Sequence, residues 1–293
     1  MGYSLLLLAQ LMIAITIVVS KYLLIFIPVI NILIVRFFIA FIFLLLMHIV
    51  VDKFEFKSIY YLSVTNWVVI IFQVVCAGFL FNIFLLLGLK YTSAGNAGII
   101  TSILPAIIII FSVVFLKEKI TISIIFCVLF SVLGLVIINA HSFYIGSSTQ
   151  LYGCMLVFIS LIPDAIYYIS SKRHPNKLPI YLISSLINGI NFLLFFILYV
   201  IYGNYGGFSN IAKELLFLII TGISTGFFYV FWLSACQRVK ASIAGLSTAF
   251  MPIFTLIIAD IFLGERITLF QILGMVLVVI AILSNVFKSG KII

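Results

Sequence analysis

Ala94-Gly95-Asn96-Ala97-Gly98-Ile99-Ile100-Thr101-Ser102-Ile103-Leu104-Pro105 returns later in the chain as Ala241-Ser242-Ile243-Ala244-Gly245-Leu246-Ser247-Thr248-Ala249-Phe250-Met251-Pro252. Five identities, Ala94/Ala241, Ala97/Ala244, Gly98/Gly245, Thr101/Thr248 and Pro105/Pro252, hold one constant separation (252 − 105 = 147). Steps of three and four put these small residues on one helical face, and the proline ends the stripe in mid-helix. Working outward at the same offset, Leu116, Glu118, Ile120 and Thr121 return as Leu263, Glu265, Ile267 and Thr268. A duplicated half accounts for all of these matches.

The start of each half agrees. Gly2 pairs with Gly153 and Ser20-Lys21 with Ser171-Lys172, in a register about four residues different, which a loop-length difference absorbs. With 66% hydrophobic and 8% charged residues in 293, the chain has more apolar surface than a soluble core can hide, so it belongs in a bilayer. Apolar runs of membrane-spanning length are expected at about 3–21, 29–51, 66–88, 93–115, 121–139, 151–171, 180–202, 214–236, 243–263 and 269–287. The first run has no basic region ahead of it and no small-residue cleavage site after it, so it reads as a retained span. The expected fold is an all-α membrane domain over 1–293: ten transmembrane helices as two repeats, about 1–140 and 150–288, around a central cavity. An odd number of spans per repeat sends the second copy across the bilayer in the opposite sense.

Basic residues orient the chain. With the N-terminus inside, eleven Lys and Arg fall on cytoplasmic segments and four, Lys21, Lys90, Lys213 and Arg266, outside. Both termini are therefore expected in the cytoplasm. The net charge of +9 comes from residues scattered between apolar runs without aromatic interleaving, which points to membrane topology and away from nucleic acid. Cys76, Cys127, Cys154 and Cys236 all lie inside apolar runs with no CxxC spacing and read as reduced core residues, and the three histidines lie at span ends or in loops at no metal-ligand spacing.

Asp164 is the most informative single residue. An ionised carboxylate in mid-span costs at least about 2.5–3.5 kcal/mol, so it needs a cavity or a bound proton. Ser160, Tyr167, Tyr168 and Ser171 share its face. Asp164 either binds a cationic group, exchanges a proton, or bonds a neighbouring helix. Arg36, in span two, either snorkels to the interface or turns inward to a substrate anion or to Asp164. Gln10, Gln73, Asn82, Asn96, Thr101, Thr248, Tyr229 and Trp232 add polar groups in other spans; interhelical hydrogen bonding explains any one, and together they suggest a wet path. Pro105 and Pro252, with Gly98 and Gly245, are candidate hinges, because proline frees the carbonyl four residues back. Glu118 and Glu265 read as structural, favoured near the N-termini of spans five and ten.

Tyr91-Thr92-Ser93-Ala94-Gly95-Asn96-Ala97-Gly98, Leu104-Pro105 and Leu116-Lys117-Glu118-Lys119-Ile120-Thr121, with 241–268 as a second copy and Arg36-Phe37-Phe38-Ile39-Ala40 in span two, resemble the drug/metabolite transporter superfamily, EamA type. The first span lacks the Trp-Gly pair that many members carry. The resemblance implies a basket of helices opened alternately at each face of the inner membrane, without a cofactor or ATP. It implies a secondary permease for a small polar organic metabolite, an amino acid or related amine among the candidates, coupled to a proton or counter-substrate, as monomer or homodimer. Two other classes compete. A membrane-embedded enzyme on a lipid-like substrate should cluster carboxylates or histidines at one interface, and no HExxH, DDxxD, Walker A or GxSxG motif is present. A non-transporting scaffold should depend on its loops, which here are short.

Overall fold

The computed structural model describes residues 2–52, 57–60, 62–101, 103–116, 148–171, 178–202, 211–239, 244, 247–248, 250–269, 272–273 and 276. Its principal helices are α1 (Gly2–Leu23), α2 (Val29–Val51), α3 (Val64–Tyr91), α4 (Ala94–Thr101), α5 (Leu104–Leu116), α6 (Ser148–Ser170), α7 (Ile180–Tyr202), α8 (Ile211–Cys236) and α9 (Phe250–Leu263). Six of them, α1, α2, α3, α6, α7 and α8, are long and apolar enough to cross a membrane. Spans one to three and six to eight thus appear as expected. Span five and nearly all of span ten lie outside the described residues, as do Glu118, Gly245 and Cys127.

Local chemistry sets the ends of the helices. Pro28 and Pro179 precede α2 and α7, where a missing N–H costs nothing, and the Ser63 hydroxyl caps α3 by accepting from Asn66 N at 3.3 Å. Span four differs from the sequence expectation of one kinked helix. It is two helices, and Pro105 is the second residue of α5. Pro252 is likewise the third residue of α9. Each proline stands in the first turn of a helix, where its lost donor would be unpaired anyway, so the chain starts afresh there.

Side-chain contacts give the relative directions of the helices. Tyr22, at the end of α1, packs edge-on against Phe217 near the start of α8 at 4.9 Å, while Gly2 abuts Val239 just beyond the end of α8. These two run antiparallel. Phe37 stacks on Phe195 at 5.6 Å and Gly189 abuts Phe41, so α2 and α7 are antiparallel too. Gly88 abuts Val157 and Gly153 abuts Tyr91 and Thr92, which sets α3 against α6 in the same manner. By contrast Gly222 and Gly226 of α8 meet Ile39 and Phe43 of α2 in order, so those two are parallel. A Cβ on Gly222 would come within 2.6 Å of Ile39, and only the bare backbone permits this approach.

The packing pairs also match. α1 lies on α8 as α6 lies on α3; α1 packs on α9 as α6 does on α4 and α5; α2 touches α8 as α7 touches the middle of α3. Exposed apolar side chains such as Leu46, Val50, Val68, Phe72, Ile197 and Ile261 face outward, as lipid requires and water does not.

Candidate functional site

Several polar side chains inside the bundle donate to their own helix. Thr16 donates to Met12 O, Ser160 to Val157 O, Asn188 to Ser184 O, Asn191 to Ile187 O and Thr225 to Thr221 O, all at 2.6–2.9 Å. At these positions the donor turns to its own helix, which hydrocarbon favours because the acceptor is always in reach, while Asn82 and Trp232 do bond between helices. Buried atoms with no hydrogen-bond partner among the described residues include both amide ends of Gln10 and Gln73 and the Oδ1 of Asn188 and Asn191, and they also occur on two charged residues that share a cavity. Arg36 is 1% exposed and Asp164 2%, yet Arg36 Nε and Nη1 and Asp164 Oδ2 have no hydrogen-bond partner among the described residues.

Both side chains line one cavity, together with Thr16 of α1, Asn82 of α3 and Thr225 and Tyr229 of α8. Ile13, Ile17, Phe81, Leu85, Leu86 and Phe228 complete its wall. Its volume of about 30 Å³ holds roughly two or three waters. Arg36 therefore turns inward and does not snorkel. Its ring-side contact is with Phe37, 5.1 Å from the guanidinium carbon to the centroid.

A turn of π-helix fixes the guanidinium. Residues Val74–Leu80 in mid-α3 are wound with five-residue hydrogen bonds. The carbonyls of Ala77 and Gly78 accept from Asn82 Nδ2 at 2.7 and 2.8 Å, which commits the amide's donor side to the backbone. Asn82 Oδ1 is left to accept from Arg36 Nη2. One edge of the guanidinium is thereby held while the Nε and Nη1 donors remain for a ligand. The sequence reading had Asn82 as one polar residue among many; the π turn that orients it has no sequence signal beyond Gly78, where a Cβ would fall 1.8 Å from Asn191 Nδ2.

The other candidates are distributed as follows. Tyr168 and Trp232 pack edge-on at 4.2 Å beside the chamber, and Trp232 Nε1 donates to Ser171 Oγ at 3.3 Å. Tyr167 and Tyr229 are 6.0 Å apart. Thr101 donates to Gly98 O at 2.6 Å, and Gly98 lies against Thr255, joining α4 to α9. Thr248 and Gln73 are buried and Asn96 half-buried, none of them lining the cavity. Glu265 corrects the sequence expectation. Its carboxylate accepts from Ala94 N at 3.1 Å and Gly95 N at 2.9 Å, so the helix start it serves is α4, in the other half.

Apolar spanning helices wrapped round a small chamber that buries both signs of charge define a membrane protein of the transporter class. The chain belongs to the EamA-like transporter family, which matches residues 1–140 and again 151–287. It is 30% identical over 203 residues to an uncharacterized transporter of Archaeoglobus fulgidus, covering 69% of this chain and 71% of the relative. It is 26% identical over 260 residues to the uncharacterized transporter YetK of Bacillus subtilis, covering 87% and 78%. A crystal structure superposes with TM-score 0.73 at 15% identity over 99% of this chain and 98% of that one, a likeness of fold.

Proposed function

We propose that the protein is a secondary transporter that carries a small organic solute bearing both an amine and an anionic group, an amino acid or related compound, by alternating access. The observation that carries this reading is the pair Arg36 and Asp164: opposite charges, each nearly fully buried, each with unmet hydrogen-bonding capacity, on one chamber. In hydrocarbon such groups are costly and persist where they serve a path. Arg36, pinned by Asn82 through Nη2, takes the anionic end with its remaining N–H donors. Asp164 takes the amine or exchanges a coupling proton, with the Thr16 and Thr225 hydroxyls and Tyr229 as neutral partners.

Two observations support a pair of inverted five-helix repeats. α2 runs opposite to its counterpart α7, given the contacts above. The same contact recurs at Gly2 against Arg238 and Val239 and at Gly153 against Tyr91 and Thr92, residues that correspond at the offsets in the sequence. The chamber at the meeting of such repeats is where transporters bind cargo. Its present volume is far below the roughly 300–1,000 Å³ of ligand pockets, so loading requires the halves to rock. Pro105 and Pro252, each at a fresh helix start in the two related spans, are the proposed pivots. The Lys and Arg distribution supports both termini facing the cytoplasm, and the proposal assigns the protein to the inner membrane as monomer or homodimer.

Flux of labelled amino acids and amines into proteoliposomes tests the reading. Asp164→Asn should lower the rate at least about tenfold, the equivalent of roughly 1.4 kcal/mol, and flatten its pH dependence. Unchanged flux and pH profile in that variant would remove Asp164 from the mechanism.

A further inference from the structure

Lys21 and Glu265 form a polar clasp at the face where α1, α3 and α9 end. Lys21 Nζ donates to Leu89 O and Thr92 O, both at 2.7 Å, at the last turn of α3. Two residues further on, the Glu265 carboxylate takes the first amides of α4 at 3.1 and 2.9 Å. The two charges also lie within electrostatic range of each other. Gly264 makes the second grip possible: its left-handed backbone (φ 66) stops α9 and turns Glu265 back toward α4. Beside the clasp, Tyr22, Phe217 and Phe262 meet edge-on with centroids 4.9–5.8 Å apart, sealing the same level. The cavity begins one helical turn below Lys21, at Ile17.

We infer that Lys21 and Glu265 are gating residues that hold this mouth of the pathway shut, and that their letting go of the α3–α4 link opens the chamber to the side that the basic-residue distribution makes external. The inference rests on the alternating-access reading for what opening achieves. Charged side chains gripping backbone groups suit this task. The contacts are strong while dry, both residues are only half-buried, and water can replace every bond when the elements part. A buried apolar seam has no such substitute.

The test reads the mouth directly. Ile17→Cys protein in right-side-out vesicles is treated with an impermeant thiol-reactive sulfonate from outside, and in inverted vesicles from inside, with the protein lacking Ile17→Cys as background. Glu265→Gln and Lys21→Gln should each raise labelling from outside by about tenfold, as loss of a charge-assisted contact would. Labelling from inside should fall, and Glu265→Asp should stay near the parent. Equal outside labelling in parent and both variants overturns the inference, and so does a rise of equal size from both sides, the mark of loosened packing. The measurement needs no moving solute, so absence of flux in proteoliposomes would count against the transporter reading while the clasp is judged by labelling alone.

Discussion

At the scale of single residues, the site depends on how a cation is kept ready in hydrocarbon. Arg36 shares one bond with Asn82, and Asn82 spends its own donors on Ala77 and Gly78. Asn82→Leu would strip a partner from the guanidinium and leave two π-turn carbonyls bare. Such losses cost about 1–3 kcal/mol each when buried. The variant should melt lower in detergent and bind solute more weakly, with KM raised more than kcat lowered, since Arg36 is present but unanchored. Flux kinetics alongside a thermal melt check this. Asp164 and Arg36 were legible in the sequence because a charge inside an apolar run is conspicuous. Their convergence on one chamber was not, since spans two and six are brought to it only by tertiary packing with other helices. Glu265 was legible as a helix-start carboxylate, but the helix it serves lies 170 or more positions away.

At the scale of elements, the extents of the six long spanning helices followed closely from apolar run length, and the departures have local causes. A π turn shifts the helical register, but in Val74–Leu80, where every residue is apolar or small, the shift leaves no mark in the pattern. The break between α4 and α5 was read as a kink, because the sequence locates Pro105 but does not say whether the helix bends or restarts. The close approach of α8 to α2 was present in the spacing of Gly222 and Gly226, four apart, a signal that the wealth of other small residues hides. It places Gly222 3.1 Å, at its missing Cβ, from Arg36 O. Gly222→Val must therefore push α8 away from the turn of α2 that carries Arg36. Overpacking of this kind costs about 1–3 kcal/mol. Thermal stability should fall by that amount and flux should fall with it, while Gly222→Ala should be the milder of the two on both measurements.

At the scale of the whole molecule, the duplication was the most readable feature, because it rests on identities at a fixed offset. What it could not convey is which helices pair, since the pairing is made between halves: α1 with α8, α6 with α3, α2 with α7. The proposed rocking of these units needs flexible joints, and the proposal assigns them to Pro105 and Pro252. The double change Pro105→Ala, Pro252→Ala would let helix run through the breaks and stiffen them. Turnover in proteoliposomes should drop by about tenfold or more, with solute affinity altered less than twofold to threefold, since neither proline lines the cavity. Undiminished turnover would move the pivot elsewhere.

The grip of Glu265 on Ala94 and Gly95 bears on how such a molecule came to exist. A solitary half would leave the opening amides of its fourth helix without their carboxylate, and the flanks of its first and third helices without a neighbour. On the inverted-repeat proposal, the smallest self-sufficient object is a couple facing opposite ways, and a gene encoding one half would have had to insert its product in both orientations before fusion made the arrangement permanent.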